Sequence, residues 1–255
     1  MTGTPHITTP PGANTVDPAE IERFSRNAEE WWDPMGKFAP LHRINPVRIG
    51  YIRDRAATHW QRDQLSGNPF AGLTLLDIGC GGGLLSEPMA RLGARVTGVD
   101  AAERNVATAA MHAEKQVLAI DYRQGTAEAL LEAGQQFDIV LALEIVEHVA
   151  DAPLFLKSCG GLVKPGGLLV LSTINRTAKA WALAIAGAEY VLRWLPRGTH
   201  DWRKFLKPSE AVNGLRAGGI ETAEIVGVVY SPLSRSWSLS KRDFDVNYML
   251  YGAKS

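Results

Sequence analysis

Two groups of residues in this chain are of types and spacing that could do chemistry. The first is Asp77-Ile78-Gly79-Cys80-Gly81-Gly82-Gly83, with Asp100 some twenty residues further on. Glycine lets a backbone approach a ligand closely and take positive φ without a Cβ clash. A carboxylate at the tip of the next strand can accept hydrogen bonds from both hydroxyls of a ribose. The pattern selects among nucleotides. A dinucleotide fingerprint needs a third glycine where Leu84 stands, and no GxxxxGK[ST] phosphate loop occurs, so oxidoreductase and ATPase readings lose support.

The second group is Glu144, Glu147 and His148 in Leu141-Ala-Leu-Glu-Ile-Val-Glu-His148. Residues three and four apart on a helical turn approach one another. Two carboxylates and an imidazole can hold a hard divalent cation such as Mg2+, or supply a general base. The plainer alternative is that acids before a helix start only favour its dipole. The first two roles compete for His148, because a ligating nitrogen cannot accept a substrate proton.

Strands alternating with helices must position both groups. Leu73–Ile78, Arg95–Val99, Val117–Arg123, Phe137–Leu143 and Leu168–Thr173 read as strands of a parallel sheet, with helices between them. Ile220–Tyr230 and Val246–Tyr251 read as two closing strands, antiparallel at one edge. The expected fold is α/β: a three-layer sandwich around a seven-stranded, mostly parallel, Rossmann-like sheet. Residues 1–16 are expected to be a disordered tail, 17–72 an N-terminal helical cap, and 73–255 the nucleotide-binding domain with a helical lid insertion near 176–208. Asp17-Pro18 opens a first helix, with Glu20 at its positive end, and Ile21, Phe24, Ala28 and Trp31 form its apolar stripe. Asn45-Pro46 opens a second towards Trp60.

Lysine plus arginine total 27, as do aspartate plus glutamate, and this zero net charge disfavours a dedicated nucleic-acid binder. Two cysteines, Cys80 and Cys159, neither in a CxxC pair, exclude a disulfide framework and fit a reducing cytoplasm. The N-terminus reads as neither a secretory signal nor a transit peptide.

The order DxGxGxG then strand-terminal Asp resembles the S-adenosylmethionine-dependent methyltransferases. Four further stretches sharpen this: Trp31-Trp32-Asp33, Phe38–Ile52, Gly187–Leu192 with Gly198-Thr-His-Asp201, and Asp245–Leu250. Together they resemble the ubiquinone-biosynthesis O-methyltransferases across roughly residues 20–251. The resemblance implies methylation of a catechol-type hydroxyl on a polyprenyl hydroxyphenol or demethylubiquinol. It also implies that Arg48, Asp77, Gly79, Gly81, Asp100, Glu128 and Leu143 serve the cofactor, Asp77 at its ammonium group and Glu128 near adenine. Glu144 and His148 would be catalytic, and Glu144, Glu147 and His148 match a magnesium site of eukaryotic relatives. Alternatives are a methyltransferase of another small metabolite and a non-catalytic cofactor-binding subunit. His42 and His200 lie in family-like stretches, where structural roles are expected over substrate contact. Ala178 to Leu195 is apolar around its circumference with basic flanks. It is too short to span a bilayer, but is expected either to lie on an anionic membrane, near other quinone-pathway proteins, or to cover the site as a lid.

Overall fold

The computed structural model describes residues 15–183 and 201–255. Among the described residues, eight strands form one sheet: β1 Thr74–Ile78, β2 Arg95–Asp100, β3 Asp121–Gln124, β4 Phe137–Leu143, β5 Val163–Ile174, β6 Ile220–Ser231, β7 Ser236–Ser240 and β8 Asn247–Lys254. Their order is β3-β2-β1-β4-β5-β8-β6-β7; the first five are parallel, and β8, inserted between β5 and β6, is antiparallel to both. The order reverses between β1 and β4, the place where open α/β sheets bind ligands beyond their carboxyl ends.

Period-two alternation drives the layering. Leu75, Ile139, Leu141 and Val170 face one core with Tyr51, Ile52 and Met89, while Leu76, Val140, Leu169 and Leu171 face another with Phe155, Leu156 and Leu215. The first core is covered by α2 (Ala39–His59) and α3 (Ser86–Arg91). The second is covered by α5 (Ala127–Glu132), α6 (Ala152–Gly161) and α8 (Pro208–Ala217). Helix α1 (Pro18–Arg26) and α4 (Glu103–Lys115) flank the glycine loop, and α7 is a single turn at Ala178–Ala180.

The eighth strand, β7, was not expected. Ser236-Trp-Ser-Leu-Ser240 is polar and half-exposed, so it carries little apolar signal, yet it extends the sheet edge by pairing with β6. The third strand begins at Asp121 rather than Val117, because Val117 takes φ +57° as the chain leaves α4. Helix α2 begins at Ala39 and runs through Pro46, which lacks the N–H a helix would direct to the His42 carbonyl. Helix α1 starts as expected, with the Asp17 carboxylate accepting from the Ala19 N–H, but stops at Arg26; Ala28–Glu30 is a separate 3-10 turn that delivers Trp31.

Candidate active site

The chain leaves β1 through glycines with φ of +73° at Gly79, +54° at Gly81 and +89° at Gly83, a region only glycine enters cheaply. The Gly79 and Cys80 N–H groups donate to the Val99 carbonyl, fastening the loop to β2. At the tip of β2, Asp100 accepts from Gly81 N–H at 2.9 Å, Ala102 N–H at 2.8 Å and Asn105 Nδ2 at 3.2 Å. Burial pushes its carboxyl up, and these donors act in the opposite direction. The glycine loop and the strand acid are thus one hydrogen-bonded unit.

A cleft with about 740 Å³ of space open to solvent lies over this unit. Of the expected site residues, Gly79, Asp100, Glu144 and His148 line it. Thr126 and Ala127 meet the cleft where Glu128 was expected. The Glu128 carboxylate is buried beside them and accepts from the Thr15 hydroxyl at 3.0 Å. Asp77 is buried below the loop, accepting from the Ser86 hydroxyl at 2.6 Å, and Leu143 is packed in the core. Gly81 lies beneath the Trp31 ring, whose nearest atoms would be 2.5 Å from a Cβ placed there.

Glu144 sits at φ +53°, strained for a residue with a side chain. That turn directs its carboxylate to the Ser172 hydroxyl at 2.6 Å and to Arg48 at 2.7 Å. Arg48, expected at the cofactor carboxylate, is instead buried in an ion pair with Glu144 and is not on the cleft wall. Glu147 points inward and accepts from the Thr173 hydroxyl at 2.8 Å, and burial, then the Glu144 charge, raises its carboxyl. His148 Nδ1 lies 3.2 Å from Glu20 on α1, with Phe24 edge-on to the ring.

The expected magnesium triad is therefore not assembled. Each member is committed in a different direction, and among the described residues no group of three or more His, Cys, Asp or Glu side chains could hold a metal ion. A divalent ion held by all three would have to displace Arg48 from Glu144 and Glu20 from His148.

Several lining residues escaped sequence reasoning: Thr15, Glu20, Phe24, Trp31 and Asn105. Glu20 read only as a helix-dipole acid, and Trp31 only as part of an apolar stripe. The Trp-Trp-Asp motif was the available signal. His42 is structural, its Nε2 lying 2.8 Å from the Trp31 carbonyl, while His200 lies outside the described residues.

Residues 76–171, the segment from β1 into β5, match the methyltransferase domain family. The fold is shared with a magnesium protoporphyrin IX methyltransferase from Synechocystis, at a TM-score of 0.58 and 20% identity over 93% of this chain and 94% of that one. Much nearer in sequence are the ubiquinone biosynthesis O-methyltransferases of Dinoroseobacter shibae, 59% identical over 92% of this chain and 95% of the relative, and of Parvibaculum lavamentivorans, 57% identical over 92% and 93%. The chain belongs to the ubiquinone biosynthesis O-methyltransferase family. It is an enzyme that transfers a methyl group from S-adenosylmethionine to oxygen.

Proposed function

We propose that the acceptor is a catechol-type hydroxyl of a polyprenyl hydroxyphenol or demethylubiquinol, and that His148 takes its proton. One observation carries the second part: Glu144 and His148 line the same cleft as Gly79 and Asp100. An acceptor oxygen brought to the cofactor's methyl group would therefore meet both. The sulfonium supplies a methyl group on a good leaving group, so alignment of the oxygen with that methyl decides the rate. A phenolic hydroxyl is a poor nucleophile until its proton leaves, and this falls to the imidazole. We assign the His148 tautomer with Nδ1–H turned to Glu20 at 3.2 Å, nearer than Arg23 Nη2 at 3.4 Å. Proton transfer then uses Nε2. Glu144, held by Arg48 and Ser172, orients the acceptor.

Under the same reading, Asp100 binds the ribose, Gly79 and Gly81 face the methionine part, Asp77 compensates its ammonium group, and Thr126, Ala127 and the neighbouring Glu128 bound the adenine. Arg48 supports this pocket through Glu144, and Leu143 through packing at the strand end. Residues 17–72 act as the cap and 73–255 as the catalytic domain; of the expected lid insertion, residues 184–200 lie outside the described residues.

The test is turnover of a short-chain demethylubiquinol. His148→Ala and Glu144→Gln are each expected to lose roughly 10²–10⁴-fold in kcat, the range for a positioned acid or base, with cofactor affinity retained. Gln is chosen at 144 because its amide oxygen can still accept from the buried Arg48, which Ala could not. Near-wild-type turnover in both variants would overturn the proposal. A magnesium-assisted route is favoured by one observation, the buried Glu147 Oε1 without a hydrogen-bond partner. Chelation followed by metal re-addition separates the two: unchanged turnover supports the imidazole alone, and recovery only with a divalent ion supports coordination.

A polyprenyl acceptor also requires access to lipid. Trp181, Leu183 and Trp202 are 51%, 53% and 39% exposed, close in sequence to Arg176, Lys179 and Arg203. Exposed aromatic side chains favour a bilayer interface, and we assign peripheral docking to them; Arg176 pairs with Glu210, Lys179 with Asp243 and Arg203 with Asp201, so anionic headgroups would have to compete for these cations. Tyr190, Arg193, Trp194 and Arg197, expected to share in the docking, lie outside the described residues.

A further inference from the structure

Trp31 belongs to a motif that the mechanism above does not use. It reaches the cleft from the N-terminal cap, and its placement is determined on several sides. Its ring stacks on Phe38 with centroids 3.7 Å apart and planes 7° from parallel. A Cβ on Gly81 or Gly82 would lie 2.5 Å or 2.3 Å from its nearest atoms, so the glycine loop is shaped to receive it. Its indole N–H donates to Asn105 Oδ1 at 2.9 Å, a buried bond spanning 74 residues. The same Asn105 donates through Nδ2 to Asp100 Oδ1 at 3.2 Å.

An amide has one acceptor oxygen and one donor nitrogen, so a donor on the oxygen side fixes which way it faces. With the indole N–H on its oxygen, Asn105 must present Nδ2 to Asp100. Were the amide reversed, its oxygen would face a carboxylate. We propose that Trp31 is a positioning residue for the cofactor. Through Asn105 it orients the Asp100 carboxylate: Oδ1 accepts from Ala102 and Asn105, and Oδ2, with only the Gly81 N–H on it, keeps one lone pair aimed at the ribose. This rests on the reading of Asp100 as the ribose acceptor. It explains why the cap and the nucleotide-binding sheet meet at a tryptophan.

The test compares binding of S-adenosylhomocysteine and its 2′-deoxy analogue by calorimetry. Trp31→Phe keeps an aromatic ring beside the glycine loop but removes the indole N–H together with part of the ring system, and comparing the two ligands separates the lost bond from the lost packing. The variant is expected to shrink the preference for the ribose ligand about fivefold, the worth of a neutral hydrogen bond. Asn105→Ala should shrink it equally, and the double variant no further, as for residues acting in series. If Trp31→Phe weakens both ligands alike and leaves the preference intact, Trp31 only packs and the inference is overturned. Asp100→Asn separates the premise. If that variant retains the full ribose preference, the ribose reading itself fails. If it loses the preference while Trp31→Phe and Asn105→Ala keep it, only the relay fails.

Discussion

Asp77 and Asp100 stand at the ends of neighbouring strands, and burial acts on both carboxyls in the same direction. For Asp77, burial and then the Asp100 charge raise the value from 3.8 to about 6. A folded value above the unfolded one means that the group favours the folded state most below about pH 4, and that this contribution is lost as pH rises through about 6. At pH 8 the ligand-free protein therefore carries an ionised carboxylate costing about 3 kcal/mol, at about 1.4 kcal/mol per unit. Asp77→Asn should be roughly 2–3 kcal/mol more stable than wild type in urea at pH 8, with the gap closing towards pH 4. On the proposed reading of Asp77 as the partner of the ligand's ammonium group, the same variant should bind S-adenosylhomocysteine about tenfold more weakly. Equal stability at both pH values would refute this account. At this scale much was legible: Gly79, Asp100, Glu144 and His148 stand on the cleft wall because strand-tip position can be read from local order. The destination of a long side chain could not be read. Arg48 and Glu144 are 96 residues apart, and nothing in either segment announces that they pair.

The elements were legible where apolar alternation was strong, and not where single residues override it. Strands β1, β4 and β5 are buried on both faces and read as hydrophobic runs. Strand β7 alternates serine with Trp237 and Leu239 at an exposed edge, so its pairing comes from backbone bonds rather than burial. The hairpin is nonetheless tightly specified. A Cβ on Gly227 would lie 1.6 Å from the Asp243 carbonyl oxygen, a backbone atom that cannot yield without moving the link into β8. Gly227→Ala is therefore expected to lower stability by about 3 kcal/mol in urea titration. Gly50, within α2 and with nothing within 4 Å of its Cβ position, is the converse case. Gly50→Ala should raise stability by roughly 0.5–1 kcal/mol, the helix-propensity difference. A similar loss in both variants would show that steric contact does not govern the response.

For the molecule as a whole, no helix among the described residues is long and apolar enough to cross a membrane, and the lipid contact proposed above is a surface one. The protein should float with vesicles containing phosphatidylglycerol and not with neutral phosphatidylcholine vesicles. Substituting Trp181→Ser together with Leu183→Ser should cut the bound fraction roughly fivefold, about 1 kcal/mol of lost interfacial burial. No flotation on anionic vesicles would exclude docking. The N-terminal cap has a different kind of consequence. Thr15 bonds Glu128 across 113 residues, its carbonyl accepts from Ala150, and Asp17 pairs with Lys204 across 187. Glu20 likewise waits on His148, and Trp31 on Asn105. A ribosome makes this segment before any of these partners exist, so one wall of the cleft, among the earliest parts synthesised, docks only after the sheet has closed. Cofactor bound beneath that wall would then report a finished chain, and a nascent one could not yet hold it.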